Sequence, residues 1–146
     1  MVFLIIGTGE LKEELEQQAI SLGITNNLIF TGFRDDVEEI AYQSTFGVYP
    51  DAPSVGMTRV IEAGIPLVTQ KNSSMDQYLI DGKTGFLVED CSPKAYADAC
   101  LSLLRDDDKL REMREFIKEN PLHKVVGWDE SMDINNIFLS VLNQGK

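Results

Sequence analysis

A short apolar run that stops at a glycine turn constrains the fold of this chain more than any other feature. Residues 2–6 read Val-Phe-Leu-Ile-Ile and are followed directly by Gly7-Thr8-Gly9. A continuous run of aliphatic and β-branched residues is typical of a strand buried on both faces, which occurs mainly in parallel sheets. Residues 11–23 then carry apolar side chains at helical spacing. This stretch therefore predicts a strand, a glycine turn and a helix.

The same order of elements repeats along the chain. Further strands are predicted over residues 28–31, 45–49, 66–69 and 86–88, and further helices over residues 36–43, 57–63, 93–104, 108–119 and 133–142. Strands that alternate with helices need crossover connections, so the sequence predicts an α/β fold, a Rossmann-like open parallel sheet with helices on both faces. No linker or repeat interrupts the pattern, and we expect residues 1–146 to form a single domain.

Charge and composition exclude several classes of function. The 146 residues contain 13 Lys and Arg against 24 Asp and Glu, which gives a net charge of -11. This sign opposes binding to nucleic acid or to an anionic membrane surface. No apolar run approaches the roughly 20 residues that span a bilayer, so we expect no transmembrane segment and a cytoplasmic protein. No set of carboxylate, Cys and His residues has the spacing of metal ligands, and no metal site is expected.

The Gly7-Thr8-Gly9 turn has two interpretations from its own residues. It is similar to the beginning of the G-x-G-x-x-G fingerprint, in which glycines let the backbone approach a pyrophosphate at a helix N-terminus. Lys12 stands where that fingerprint has its third glycine. The other interpretation is a plain tight turn between a strand and a helix.

Several motifs in order resemble one family along almost all of residues 2–140. They are Gly-Thr-Gly at 7–9, Ile-Phe-Thr-Gly at 29–32, Glu-Ala-Gly-Ile-Pro-Leu-Val at 62–68, Asp-Gly-Lys-Thr-Gly-Phe-Leu-Val at 81–88 and Gly-Trp at 127–128. Together they look like the donor-binding, C-terminal half of retaining glycosyltransferases with the GT-B fold, the large family called group 1 or family 4. No single motif is unique to that family, but their order and spacing are specific.

The resemblance implies a substrate and a place for it. The substrate is a nucleotide-diphosphate sugar of the UDP or GDP type, with no further cofactor, held in a cleft at the carboxyl ends of the strands. The base would lie near the G-x-G turn and the end of the strand over 28–31, which makes Gly7, Gly9 and Phe33 candidate donor-binding residues.

Four further candidates follow the fourth strand of the family's pattern. There the family carries two glutamates spaced E-x7-E, of which the second accepts hydrogen bonds from ribose and the first contacts the transferred sugar. Glu62 matches the second glutamate, or is a helix-surface carboxylate, while Ser54 stands eight positions earlier in place of an acid. Gly56 matches a loop glycine beside the donor, and Asp76 either contacts the donor or caps its own turn. No residue is assigned a catalytic role.

The family's first strand, with the arginine and lysine that stabilise its leaving diphosphate, has no counterpart in this sequence, and neither has the acceptor-binding domain. In the sheet order 3-2-1-4-5-6 the absent strand is central, so the strand over 2–6 would have an unpaired edge. We expect that edge to pair with the missing N-terminal part or to cause self-association, and we expect the isolated chain to be inactive.

Three functions remain open from the sequence. The first is the donor-binding domain of a hexosyltransferase that moves a sugar to a hydroxyl acceptor with retention. The second is a non-catalytic GT-B-like module that binds or scaffolds a partner protein, which the serine at position 54 and the absent basic residues favour. The third is an oxidoreductase with a nicotinamide nucleotide cofactor. Binding of a nucleoside diphosphate or of NAD would separate the first function from the third.

Overall fold

The predicted alternation of strands and helices is confirmed by a computed structural model, which describes residues 1–50, 55–72 and 78–121. The strands are β1 Phe3–Ile6, β2 Leu28–Gly32, β3 Gly47–Tyr49, β4 Leu67–Gln70 and β5 Gly85–Val88. The helices are α1 Lys12–Ser21, α2 Val37–Tyr42, α3 Val55–Glu62, α4 Pro93–Leu104 and α5 Asp107–Glu119. The helix predicted over residues 133–142 and the Gly-Trp pair at 127–128 lie outside the described residues.

The strands pair in parallel but in two separate groups. β1 pairs with β2, while β4 lies between β3 and β5. The chain correspondingly divides into two compact units, residues 1–37 (unit 1) and residues 38–146 (unit 2). The α/β class and the parallel pairing were predicted correctly. One continuous sheet was not observed, because no described strand hydrogen-bonds to both β1 and β3.

Unit 1 is a β1–α1–β2 motif whose helix ends at a glycine. Gly23 follows α1 with a φ of 68°, a left-handed conformation that glycine adopts without steric cost. Its backbone N–H donates to the carbonyl oxygen of Ile20, and the N–H of Ile24 donates to that of Ala19, both at 3.0 Å. This pair of hydrogen bonds is the Schellman arrangement that satisfies the last carbonyls of a helix.

Unit 1 leaves most of its large apolar side chains exposed. Among its residues only Ala19 is buried. The exposed apolar residues come from both strands, the helix and the connections: Met1, Val2, Phe3, Leu4, Ile6, Leu11, Leu15, Ile20, Leu22, Ile24, Ile29 and Phe33. The sequence predicted that β1 is buried on both faces, but the strand is largely exposed.

Unit 2 contains the hydrophobic core, with helices on both faces of its sheet. Successive side chains of a strand point to opposite faces, and β4 supplies Leu67 to one buried cluster and Val68 to another. The Leu67 cluster includes Met57 and Ile61 of α3, while the Val68 cluster is built by α4 and α5. Its α4 and α5 members are Cys100, Leu103, Leu110 and Met113. The predicted helices on both faces are thus present in this unit.

The Asp-Gly-Lys-Thr-Gly motif forms the turn that leads into β5. The Asp81 carboxylate accepts a hydrogen bond of 2.9 Å from the backbone N–H of Leu87. The hydroxyl of Thr84, which is 3% exposed, accepts a hydrogen bond of 2.8 Å from the N–H of Ile80. A Cβ on Gly85 would overlap the backbone carbonyl oxygen of Leu67. Turn and packing requirements therefore account for the acid, the threonine and the second glycine of this motif.

Side chains cap the two helices that cover the Val68 face. The hydroxyl of Ser92 accepts a hydrogen bond from the N–H of Ala95 at the start of α4, and Pro93 occupies the first turn. The Asp106 carboxylate accepts a hydrogen bond of 2.9 Å from the N–H of Lys109 at the start of α5. The acidic run at 106–108 therefore begins a helix.

Candidate functional site

The carboxyl edge of unit 1 brings three of the predicted donor-binding residues together. Gly7 follows β1 directly, and its N–H donates a 2.9 Å hydrogen bond to the carbonyl oxygen of Gly32 at the end of β2. Both glycines have positive φ angles, 135° and 69°. Phe33 comes next and is 79% exposed, while Gly9 lies between β1 and α1. Two glycines and one exposed aromatic ring therefore share the edge at which parallel α/β folds bind ligands.

The start of α1 is open but acidic. A Cβ on Gly9 would find no heavy atom within 4 Å, so the backbone there is accessible. No side chain caps the helix, and Glu13 and Glu14 occupy its first turn. These carboxylates already complement the positive end of the helix dipole and would repel a diphosphate placed on it. Together with Lys12 in place of the third glycine, this arrangement disfavours a dinucleotide fingerprint.

The sequence prediction missed Arg34, a cation at the same edge. Its guanidinium donates to both carboxylate oxygens of Asp36, with the Nε to Oδ1 distance at 2.7 Å. This pair lowers the pKa of the Asp36 carboxyl below its usual range, chiefly through the hydrogen bond from Arg34. The Arg34 side chain is 45% exposed. The Gly-Phe-Arg order immediately after a strand was the signal that could have identified it.

Within the described ranges, Gly56 is the predicted residue that can be placed at the carboxyl edge of unit 2. β3 ends at Tyr49, and Gly56 is the second residue of α3, so it lies at the helix end nearest this edge. Ser54 and Asp76 lie outside the described residues. The thiol of Cys91 donates a 3.3 Å hydrogen bond to Oε1 of Gln70 at the end of β4.

Glu62 lies at the opposite edge of unit 2. A helix that connects parallel strands runs from the carboxyl edge of one to the amino edge of the next, and Glu62 is the last residue of α3. It lines a cavity of about 500 Å³ together with Gly64, which precedes β4, and Arg114 of α5. The Arg114 guanidinium donates to the carbonyl oxygens of Ser44 and Thr45, just before β3 begins. The structure thus separates Glu62 from Gly56 along α3, and its ribose contact stays a prediction.

Clusters of metal ligands and membrane-spanning helices are both absent from residues 1–50, 55–72 and 78–121. No group of three or more His, Cys, Asp or Glu side chains in these ranges could hold a metal ion. Within the same ranges, no helix has both the length and the apolar character needed to cross a bilayer.

Sequence comparison relates the chain to sugar-transferring enzymes. The family described as "Glycosyl transferases group 1" matches residues 1–120. The phosphatidyl-myo-inositol mannosyltransferase of Mycobacterium leprae is 33% identical over 111 residues, which are 71% of this chain and 29% of that protein. The D-inositol 3-phosphate glycosyltransferase of Corynebacterium urealyticum is 34% identical over 112 residues, 73% of this chain and 26% of that protein. The chain therefore spans less than a third of the length of these relatives.

Solved structures support the same fold. Anabaena HepE in complex with UDP superposes with a TM-score of 0.76 at 19% identity, over 99% of this chain and 41% of that one. The pneumococcal O-GlcNAc transferase GtfA in complex with UDP and GlcNAc gives a TM-score of 0.78 at 16% identity, over 99% of this chain and 29% of that one. The fold is thus the Rossmann-like α/β arrangement of GT-B structures. With the match to residues 1–120, this shows that the chain belongs to the group 1 glycosyltransferases.

Proposed function

We propose that this chain is the C-terminal, donor-binding part of a retaining glycosyltransferase, which moves a hexose from a nucleotide-diphosphate donor to a hydroxyl acceptor. The observation that carries the proposal is the carboxyl edge of unit 1, where Gly7, Gly9 and Phe33 lie together. Family membership supplies the reaction class, since relatives are named as glycosyltransferases. HepE, a structural neighbour, is described in complex with UDP and with UDP-glucose.

Each residue of this edge has a physical role in holding a donor. The exposed ring of Phe33 offers a flat apolar face to the base. The missing Cβ at Gly9 lets ribose oxygens approach the backbone. Arg34 can turn part of its guanidinium to the diphosphate while Asp36 holds the other part. Positioned donors of this kind lower the energy of a leaving diphosphate.

The predicted contributions of unit 2 belong to the same proposal. Gly56 at the start of α3 would place a backbone N–H beside the sugar, and Ser54 and Asp76 would flank it. Serine at position 54 cannot supply the negative charge that the family's first glutamate provides. We therefore assign no catalytic residue. UDP or GDP is the expected nucleotide, and no other cofactor is proposed.

Acceptor binding is proposed to require further protein surface. A glycosyl transfer needs the acceptor aligned and water excluded, which takes a second wall of the cleft. The length of the relatives, of which this chain covers 26% to 29%, supports that requirement. We therefore expect the isolated chain to bind a nucleotide without transferring sugar. A cytoplasmic location also stays a prediction.

The free edge of β1 is the proposed attachment point for that surface. Among the described strands β1 pairs only with β2, so its other edge presents unpaired backbone groups. We propose that an N-terminal strand of the acceptor-binding part pairs there, and that isolated chains self-associate through the same edge. Light scattering at micromolar concentration should then find dimers or larger species, whereas a monomer would count against this part of the proposal.

A second function is favoured by a different observation. Unit 1 exposes apolar side chains from both of its strands and from α1, and large exposed apolar surfaces mark protein interaction sites. A non-catalytic GT-B-like module that binds or scaffolds a partner protein would use this surface. It would bind no nucleoside diphosphate, which separates it from the first function. The oxidoreductase hypothesis has no support from the family match.

Calorimetric titration with UDP, GDP and NAD tests the proposed donor site. We expect saturable binding of one nucleoside diphosphate and none of NAD. Gly9→Ala should weaken that binding by about tenfold, or ~1.4 kcal/mol, because a methyl group would meet the ligand. Its fold should persist because the added Cβ meets no heavy atom within 4 Å. Gln17→Ala, an exposed change on α1, is the matched control.

Two further outcomes decide parts of the proposal. Absence of binding by both UDP and GDP would overturn the donor site and favour the partner-binding module. Glu62→Ala tests the ribose contact separately: a bound ribose predicts a loss of about 1.5–3 kcal/mol, whereas a location at the amino edge predicts unchanged affinity.

A further inference from the structure

The cavity at the amino edge of unit 2 has a chemistry of its own. Its volume is about 500 Å³, within the range of sites for small organic ligands. Apolar and small residues form most of its wall, and three charged side chains complete it. The lining residues are Tyr42, Ile61, Glu62, Ala63, Gly64, Arg114, Ile117, Lys118 and Pro121.

Two cations of α5 lie on one side of this cavity. Arg114 and Lys118 are four residues apart, a spacing that places both on the same face of a helix. Arg114 donates to Ser44 and Thr45 through its Nη2 atom alone. Its Nε and Nη1 groups have no acceptor among the described residues, and Lys118 has no ion-pair partner there. In a chain of net charge -11, this pair forms a local site for one negative group.

Glu62 gives the cavity an acceptor as well as donors. Its side chain is exposed and forms no ion pair within the described part of the chain, so the carboxylate does not neutralise Lys118 or Arg114. A carboxylate accepts hydrogen bonds from hydroxyl groups and repels a second negative group. Ile61, Ile117 and the ring of Tyr42 can contact a small carbon skeleton.

We propose that this cavity binds a sugar monophosphate, with the phosphate on Arg114 and Lys118 and the hydroxyl groups on Glu62. A nucleoside diphosphate fits less well, because the one cation pair would neutralise one phosphate group and Glu62 would repel the second. The ligand is therefore distinct from the proposed donor. The site is independent of the donor edge, and it stands whether or not the chain binds UDP.

Calorimetric titration with glucose 6-phosphate as the probe tests this site, with inorganic phosphate and glucose in parallel titrations. We expect glucose 6-phosphate to bind at least tenfold more tightly than either fragment. Lys118→Gln should weaken it at least tenfold, while Lys94→Gln on α4, which removes a lysine of a surface ion pair with Asp98, should leave it unchanged. Circular dichroism of each variant confirms that the fold is retained.

A second variant separates the role of Glu62 from a general effect of charge. Glu62→Gln keeps the shape of the side chain but weakens its hydrogen bonds to hydroxyl groups and removes its repulsion of anions. We expect weaker binding of glucose 6-phosphate and tighter binding of inorganic phosphate, each by at least threefold. Changes of the same direction for both ligands would overturn the assigned role of Glu62.

Competition with UDP completes the test. Saturating UDP should leave the affinity for glucose 6-phosphate within twofold of its value without UDP. Competitive displacement by UDP, no saturable binding of glucose 6-phosphate up to 10 mM, or wild-type affinity in Lys118→Gln would each overturn the proposal. Failure of UDP to bind, with glucose 6-phosphate still bound, would overturn only the donor site.

Discussion

Units 1 and 2 are built from the same kinds of element and differ in what they bury. Unit 1 contains two parallel strands and α1, yet Ala19 is its only buried residue. Unit 2 contains three parallel strands and buries Met57, Leu103 and Met113 almost completely. Burial of apolar surface is the main favourable term in folding. The stability of the described chain therefore resides mainly in unit 2, while local hydrogen bonding defines unit 1.

The difference also separates structural motifs from binding motifs. In unit 2, Gly85 at the start of β5 is required by packing, since the backbone of Leu67 leaves no room for a side chain. In unit 1, Gly7 and Gly9 have open space around them. Gly7 has a φ of 135°, which by itself favours glycine, whereas Gly9 has neither a positive φ nor a close neighbour. Gly9 is therefore the glycine of this edge that a bound ligand would best explain.

The largest effect that would sharpen this comparison is expected from Gly85→Ala. The added Cβ would overlap the carbonyl oxygen of Leu67 in the adjacent strand. We expect a loss of more than about 4 kcal/mol, a size reserved for a small set of severe defects, and failure of unit 2 to fold. Chemical denaturation followed by circular dichroism measures it. Gly9→Ala is the comparison variant, and equal losses in the two variants would contradict the contrast between the units.

A smaller effect is expected when one leucine in each unit is shortened. Leu103 of α4 is 0% exposed, whereas Leu22, which follows α1, is 62% exposed. Leu103→Ala should lower the free energy of unfolding by about 3 kcal/mol through lost burial and a cavity. Leu22→Ala should lower it by about 0.5 kcal/mol or less. A larger loss for Leu22→Ala would mean that unit 1 has a core that these exposures do not reveal.

The rate of thiol labelling should show that a buried cysteine is better protected in unit 2 than in unit 1. Cys100 belongs to the core of unit 2, and burial raises the pKa of its thiol, so it should react slowly. We expect a Cys91→Ser protein to label at Cys100 at least about 100-fold more slowly than wild type does at the exposed Cys91.

A matched thiol in unit 1 completes that prediction. Ala19→Cys, made in a Cys91→Ser and Cys100→Ser background, places a thiol at the one buried position of unit 1. It should label within about tenfold of Cys91, because little apolar packing opposes local opening there. If the thiol introduced at position 19 were labelled as slowly as Cys100, the two units would not differ in how well they protect a buried side chain.

Local features were the most predictable parts of the fold. The strands and the helices were predicted because each depends on a few neighbouring residues. The unpaired edge of β1 was expected, because the absent strand is central in the order 3-2-1-4-5-6, whereas the pairing of the other strands depends on which of them become adjacent in space. The contact of Arg114 with Ser44 joins residues 70 positions apart, and no local pattern indicates it.

The candidate site was predictable in part for the same reason. Gly7, Gly9 and Phe33 follow strands directly, and the carboxyl ends of parallel strands lie at one edge. The location of Glu62 depends on the direction of α3. Its place just before Gly64, which ends the helix, was a sequence signal that it lies near the amino edge.

The donor site is tested most directly by titrating the isotope-labelled protein with UDP and following the shifts of its backbone amide resonances. We predict that titration with UDP shifts the amides of Gly7, Gly9 and Phe33, with those of Glu62, Gly64 and Lys118 unchanged. Shifts confined to Glu62 and its neighbours would contradict a donor site at the carboxyl edge of unit 1, as would the absence of any shift at saturating UDP.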